Sequence, residues 1–118
     1  MKITERINLL KIARILTVAF IVFISLFALD AFHGQNPFLK ELAGFIIHLI
    51  PSFILIAILY LFWEKPLYTG ILFLIIAVGF TFFFDLYQDP VTFLIIGLPP
   101  VIIGLLFLIS YNKQKKNP

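Results

Sequence analysis

The sequence predicts an all-α protein, namely an integral membrane bundle of four helices in which neighbouring helices run antiparallel, up and down. Of the 118 residues, 62% are hydrophobic and 13% are charged, whereas soluble domains average about 45–50% and about 25%. A soluble chain of this length would expose more surface than so few polar groups could cover. Four apolar segments also match the roughly 20 residues that a helix needs to cross a bilayer core.

We expect one membrane domain over residues 1–118, with spans at about 15–32, 42–62, 67–84 and 91–109. The connections "HGQNPFLKE", "WEKP" and "DLYQDP" are polar and contain the Pro, Gly and Asn residues that are typical of turns. Because these connections are short, consecutive helices should be antiparallel neighbours.

The residues before the first span, 1–14, should form an amphipathic start on the membrane surface. Apolar Ile3, Ile7 and Leu10 alternate there with basic Lys2, Arg6 and Lys11. The first span has the basic start and apolar middle of a signal peptide. No small-residue cleavage site follows it, so we expect a retained helix.

The basic residues predict the orientation. Four of them precede the first span, Lys65 lies between the second and third, and the tail 110–118 holds three lysines. An even number of spans places all of these on one side and leaves only Lys40 on the other. By the positive-inside rule both termini should be cytoplasmic, in the plasma membrane of a prokaryote.

The two halves of the chain show a possible two-hairpin repeat. At an offset of 48 residues Pro51 aligns with Pro99 and Trp63 with Tyr111, and at an offset of 55 Asp30 aligns with Asp85. Aliphatic segments also align by chance, so the repeat and its absence both stay open.

A few polar residues lie within or at the ends of the apolar segments, where each needs a partner or a task. They form a candidate polar intramembrane site, and all of them except Ser52 would line one vestibule in the outer half of the bundle together with His33 and Glu41. The five residues of this candidate site are Asp30, His48, Ser52, Thr81 and Asp85.

Glycines and prolines predict kinks and close helix packing. Gly44, His48 and Ser52 share one helix face, and Pro51 lacks the N–H that would bond the carbonyl of Ile47. In the fourth span Pro99 and Pro100 have the same effect, and Gly97 and Gly104 mark a stripe that another helix could approach.

Three roles are open for His48. It could be structural, held by Asp30 or by the freed carbonyl of Ile47. It could relay protons or ions together with Asp30 as the imidazole titrates. It could also ligate a metal or haem together with His33, although no CxxCH or HExxH motif accompanies the two histidines. We therefore expect no metal and no cofactor.

The segments "SLFALDAF" and "FIIHLIPSFILIAILYLFWEKPLYTGILFLIIAVGF" resemble an uncharacterised family of small four-helix membrane proteins in bacteria and archaea. The pattern of that family is F-A-x-D-x-F, then H-L-x-P-[ST], then W-[KE]-x-P before G-I-L-F. The resemblance implies a membrane four-helix bundle and no activity. It falls on Asp30, His48, Pro51, Trp63, Pro66 and Gly70.

The sequence lacks cysteine, a phosphate-binding glycine loop, a nucleophile elbow and paired catalytic carboxylates, so we expect no enzyme. The function that we expect is that of a structural or accessory membrane component. The main alternative is a small oligomeric transporter or channel with a proton or cation path through Asp30, His48 and Asp85. A membrane redox or metal-binding protein using His48 is the third. The expected partners are the lipid bilayer and a homo-oligomer or larger membrane complex, and no nucleic acid.

Overall fold

The computed structural model of the chain describes residues 3–116 and, within these, the side chains of residues 9–113. Every regular element in this part of the chain is helical. Four segments are long and apolar enough to cross a membrane, and we call them the first to fourth spans: Leu9–Ala31, Phe38–Leu61, Pro66–Phe83 and Pro90–Lys113.

Each span has its own helical composition. The first consists of an α-helix, Ile3–Phe27, and a 3-10 turn, Ala28–Ala31. The second has two α-helices, Phe38–His48 and Ile50–Leu61, joined at Leu49, and the third is the α-helix Pro66–Phe83. A 3-10 turn, Leu86–Gln88, precedes the fourth span, which contains Pro90–Thr92, a π-helical turn, Phe93–Gly97, and the α-helix Leu98–Lys116.

Proline fixes the start of three spans. Pro37 caps the second span, and Pro66 and Pro90 are the first helical residues of the third and fourth. Proline suits this position because its missing N–H would have no helical partner there. Asp89 completes the fourth cap, since its carboxylate accepts hydrogen bonds from the Val91 amide at 3.2 Å and the Thr92 hydroxyl at 2.5 Å.

The second span begins at Phe38, whereas the sequence analysis expected its start near residue 42. The cap at Pro37 and the acidic Glu41 in the first turn favour a helix over residues that the polar composition assigned to the connection. Residues 1, 2, 117 and 118 lie outside the described residues, as do the side chains of 3–8 and 114–116. The amphipathic start and the basic tail therefore stay predictions.

The third and fourth spans pack against each other more extensively than any other pair, and the first span packs on the fourth. Phe73 and Phe107, both fully buried, meet between the third and fourth spans with their ring centroids 6.0 Å apart. Gly70 and Gly104 allow this approach. A Cβ atom on Gly70 would lie 2.8 Å from the carbonyl oxygen of Gly104.

The second span lies at the periphery. In its most apolar window 17% of the residues are buried, against 28% to 33% in the other three. Its helix Ile50–Leu61 packs on the α-helix of the first span, and its helix Phe38–His48 packs on the 3-10 turn Ala28–Ala31 of the first span. The second span makes little contact with the third. Most of its surface therefore faces away from the other three spans.

Candidate functional site

Ser52 anchors the second span to the first. It is 2% exposed, and its hydroxyl lies 2.8 Å from the hydroxyl of Ser25. Ser25 also donates to the carbonyl of Ile21 at 2.7 Å, one turn back on its own helix. Since that bond uses the Ser25 proton, Ser52 donates to Ser25. This pair is an interhelical hydrogen bond of the kind that joins membrane helices.

His48 is held by its own helix. Its Nδ1 atom lies 2.7 Å from the carbonyl oxygen of Gly44. Because a carbonyl can only accept, Nδ1 carries a proton, and Nε2 is the nitrogen that the contact leaves free. A bond to a carbonyl one turn back satisfies the ring without any second helix. In the described chain no hydrogen bond joins His48 to Asp30. The partner of His48 is thus the carbonyl of Gly44, whereas the sequence predicted Asp30 or the carbonyl of Ile47.

His48 also borders a cavity of about 60 Å³ between the first, second, third and fourth spans. Gly44 lies opposite Ala31 at the end of the first span, since a Cβ added to Gly44 would be 3.6 Å from the Ala31 Cβ. His48 follows Gly44 by four helical residues and therefore lies about 6 Å further along the second span. The other lining residues are apolar: Ile24, Phe27, Ala28, Pro51, Phe80, Phe84 and Ile96. A water needs two to four polar partners, and His48 is the one polar side chain that lines this space. The cavity is therefore unsuited to a water chain.

The remaining candidate residues do not line this cavity. Thr81 donates to the carbonyl of Ala77 on its own helix at 2.8 Å. Asp85 is exposed, takes a left-handed backbone conformation with φ 54°, and accepts a bond from the Tyr87 hydroxyl at 3.3 Å. Asp30 is exposed in the turn that ends the first span. The structure therefore brings Ser52 together with Ser25 but does not join the five residues into one polar vestibule.

The predicted kink residues act in two different ways. At Pro51 the chain passes through Leu49, whose amide is shared between the carbonyls of Phe45 and Ile46. Before Pro99 and Pro100 the helix widens into the π-helical turn, and the Leu98 amide bonds the carbonyl of Phe93, five residues back. Two consecutive residues without an N–H explain this local change of hydrogen bonding.

Gly97 and Gly104 do not form one stripe against a single helix. Gly104 faces Gly70 and Leu74 of the third span. Gly97 faces Phe93 of the π-helical turn and Leu86 of the preceding connection, where a Cβ atom would come within 2.9 Å of the Phe93 ring. An added Cβ would thus meet the backbone of the third span at Gly104 but only side chains at Gly97.

His33 belongs to a different cluster, in the connection between the first and second spans. Glu41 is 7% exposed, and its Oε2 lies 3.3 Å from His33 Nδ1 and accepts the Asn36 amide at 3.2 Å. Glu41 thus ties the loop to the second span. Within the side chains that the structure describes, no group of three or more His, Asp or Glu residues could hold a metal ion. The metal role of His33 and His48 gains no geometric support.

Sequence reasoning missed Ser25, Thr69 and Ser110. Thr69 is buried and donates to the carbonyls of Phe62 at 2.8 Å and Lys65 at 3.1 Å, so it secures the turn before the third span. Ser110 is fully buried, and its hydroxyl has no partner in the described chain. The sequence does contain the signal for all three, because each is a Ser or Thr within one of the long apolar segments.

Comparison with known proteins gives one match. The model of a family described as a domain of unknown function (DUF7670) matches residues 1–118. No curated protein and no solved structure matches the chain. The match agrees with the resemblance to an uncharacterised family, whereas the occurrence in bacteria and archaea and the residue pattern stay predictions.

Proposed function

The chain belongs to the family of the domain of unknown function DUF7670, and from its geometry we propose that it is a structural or accessory component of the membrane. In this proposal the four spans form an antiparallel up-down bundle, and the protein acts through the surface that it offers to other membrane proteins. It is not an enzyme and does not conduct ions.

One observation supports a structural role above the others: the hydroxyl groups inside the spans serve the helices themselves. Each Ser and Thr side chain that the structure describes within the first three spans bonds a carbonyl of its own helix or turn, or another serine, whereas Ser110 of the fourth span has no partner in the described chain. A permeation path instead needs polar groups that face a continuous water-filled space. The cavity at His48 has an apolar lining in every other position.

The exposed second span is the surface that we assign to a partner. His48 is exposed there although it lies within an apolar segment, and its Nε2 nitrogen is free. A polar nitrogen facing lipid is costly, and a neighbouring protein that donates a hydrogen bond would remove that cost. The partner is a second copy of this chain or another integral membrane protein.

Photo-crosslinking in the intact membrane tests this assignment. A photoreactive amino acid placed at Ile47 or Phe53 of the second span, which are 58% and 51% exposed, should give discrete protein adducts. The matched control is the same photoreactive amino acid in place of Val78 of the third span, which is 58% exposed. At this position it should react mainly with lipid. Equal adduct yields at all three positions, or no protein adduct at Ile47 and Phe53, would contradict the proposal.

The orientation is part of the proposal. The basic residues support cytoplasmic termini in the plasma membrane, with the connection around Gln35 on the outer side. Because the chain has no cysteine, single cysteines at Gln35 and Asn112 can be labelled without a background. An impermeant maleimide on intact cells should label Gln35→Cys and not Asn112→Cys. The reverse pattern would overturn the orientation, and labelling of both would overturn the even number of spans.

The alternatives stay open to experiment. A proton or cation path would need Asp30, His48 and Asp85 to act together, and a redox or metal protein would need a second ligand beside His48. No hydrogen bond or shared cavity among the described residues favours either of these. A flux measurement on the purified protein separates the first alternative from the structural role.

A further inference from the structure

A groove of about 520 Å³ lies beside the start of the first span, and its lining changes from basic to apolar along the helix. Its first-span residues follow the spacing i, i+3, i+4, i+7 and i+8, so they share one helix face. Trp63, from the turn after the second span, closes the basic end. The first-span residues are Lys11, Arg14, Ile15, Val18 and Ala19.

Arg14 is fixed in this groove by two contacts. Its guanidinium carbon lies 3.9 Å from the centre of the Trp63 ring, which is a cation–π arrangement. Its Nη2 atom donates to the carbonyl oxygen of Trp63 at 2.7 Å. The helix of the second span ends at Leu61, so this carbonyl lies in the turn and Arg14 supplies its donor. A guanidinium held in place loses little freedom when it binds an anion.

Both basic groups keep donors for a ligand. In the described chain, the Trp63 carbonyl is the only acceptor that bonds the Arg14 guanidinium. Lys11 is exposed, lies three residues before Arg14, and makes no hydrogen bond or ion pair with the described residues. Among the described side chains, Glu64, exposed in the turn beside Trp63, is the carboxylate whose charge acts on Arg14. The described side chains at the basic end therefore carry two positive charges, from Lys11 and Arg14, and one opposing charge, from Glu64.

We propose that this groove is a binding site for an anionic phospholipid. The lipid phosphate contacts Lys11 and Arg14, and an acyl chain lies along Ile15, Val18 and Ala19. The order of charge, aromatic ring and apolar surface along the groove matches the order of groups in a phospholipid at the membrane boundary. The inference rests on the membrane insertion in the proposed function, and it adds a lipid class that the protein selects.

Native mass spectrometry of the full chain in detergent tests the site with two added lipids, dioleoyl phosphatidylglycerol and dioleoyl phosphatidylcholine. The wild type should bind the first phosphatidylglycerol more tightly than the first phosphatidylcholine. Lys11→Gln should lower this preference about fivefold, since one basic residue near the surface has an effect of that size. Glu64→Gln should raise it.

Lys40→Gln is the matched control, because it removes the same charge from an exposed lysine outside the groove. It should leave the preference unchanged. Equal binding of the two lipids by the wild type, or equal effects of Lys11→Gln and Lys40→Gln, would overturn the site. Retention of the protein in phosphatidylcholine vesicles after alkaline washing is measured in parallel. A retained protein without lipid preference overturns only this site, whereas a protein that washes off overturns the proposed function as well.

Discussion

The contact between Gly70 and Gly104 allows the sharpest test of the packing. A Cβ atom on Gly70 would lie 2.8 Å from the Gly104 carbonyl oxygen and 2.8 Å from Leu108 Cγ. Ordinary van der Waals contact for such an atom begins at 3.4 Å. The Gly104 oxygen belongs to the backbone, so it cannot give way by a side-chain rotation, and the third and fourth spans must separate instead.

We therefore expect Gly70→Ala to destabilise the protein. Overpacking of a close contact costs about 1–3 kcal/mol. Replacing glycine by alanine in a helix also raises the free energy of unfolding by up to about 1 kcal/mol, because alanine has the higher helix propensity. Gly79→Ala, in the same span, is the matched control because an added Cβ there has no atom within 4 Å. The two variants share the propensity gain, so their difference isolates the clash at about 1–3 kcal/mol.

The assay is reversible unfolding by sodium dodecyl sulfate in mixed micelles, followed by far-ultraviolet circular dichroism. Gly70→Ala should unfold at a lower detergent fraction than Gly79→Ala. Gly104→Ala should resemble Gly70→Ala, and the double variant should cost less than the sum because both changes open the same contact. If Gly70→Ala were as stable as Gly79→Ala, the close crossing of the two spans would be refuted.

Three further predictions concern hydrogen bonds. A double-mutant cycle with Ser25→Ala and Ser52→Ala, measured by the same unfolding assay, should give a coupling of about 0.6 kcal/mol, and a coupling of zero would exclude the bond between the two spans. The pKa of Asp89 is lowered by the Thr92 hydroxyl and further by the Val91 and Thr92 amides. The unfolded state therefore binds the proton more readily than the folded state. The stabilisation by this cap is complete above the ordinary pKa of Asp89 and is lost as pH falls through the lowered pKa. Asp89→Asn should flatten that acid dependence of the unfolding midpoint, and an unchanged profile would count against this cap. Glu41→Leu should speed hydrogen exchange in the peptide that contains Asn36, because the Asn36 amide loses its acceptor, whereas unchanged exchange would show that Glu41 does not order the loop.

Composition and length predicted the all-helical class and the four long apolar helices, because apolar runs of about 20 residues are typical of helices that can cross a membrane. The start of the second span at Phe38 escaped prediction, since the polar letters of "FLKE" resemble a loop although Pro37 and Glu41 favour a helix. Which spans pack together also could not be read from the sequence. Helices that are apolar on all sides give no periodic signal of the buried face.

The candidate site shows a similar division. Helical spacing predicted a shared face for Gly44, His48 and Ser52; in the structure Ser52 is buried and meets Ser25 of the first span, whereas His48 is exposed. The sequence predicted Asp30 or the carbonyl of Ile47 as the partner of His48, whereas the partner is the carbonyl of Gly44, one turn back on the same helix. Interhelical partners such as Ser25 depend on the rotation of both helices, which local sequence does not specify.

Proton flux across vesicles that contain the purified protein tests the central claim, a structural role without conduction, most directly. An internal pH-sensitive dye would report the flux under an imposed pH gradient and membrane potential. We expect the same rate as in protein-free vesicles, for the wild type and for His48→Asn alike. A rate above that background which is lost in an equally inserted His48→Asn variant would contradict the account and make His48 part of a proton path.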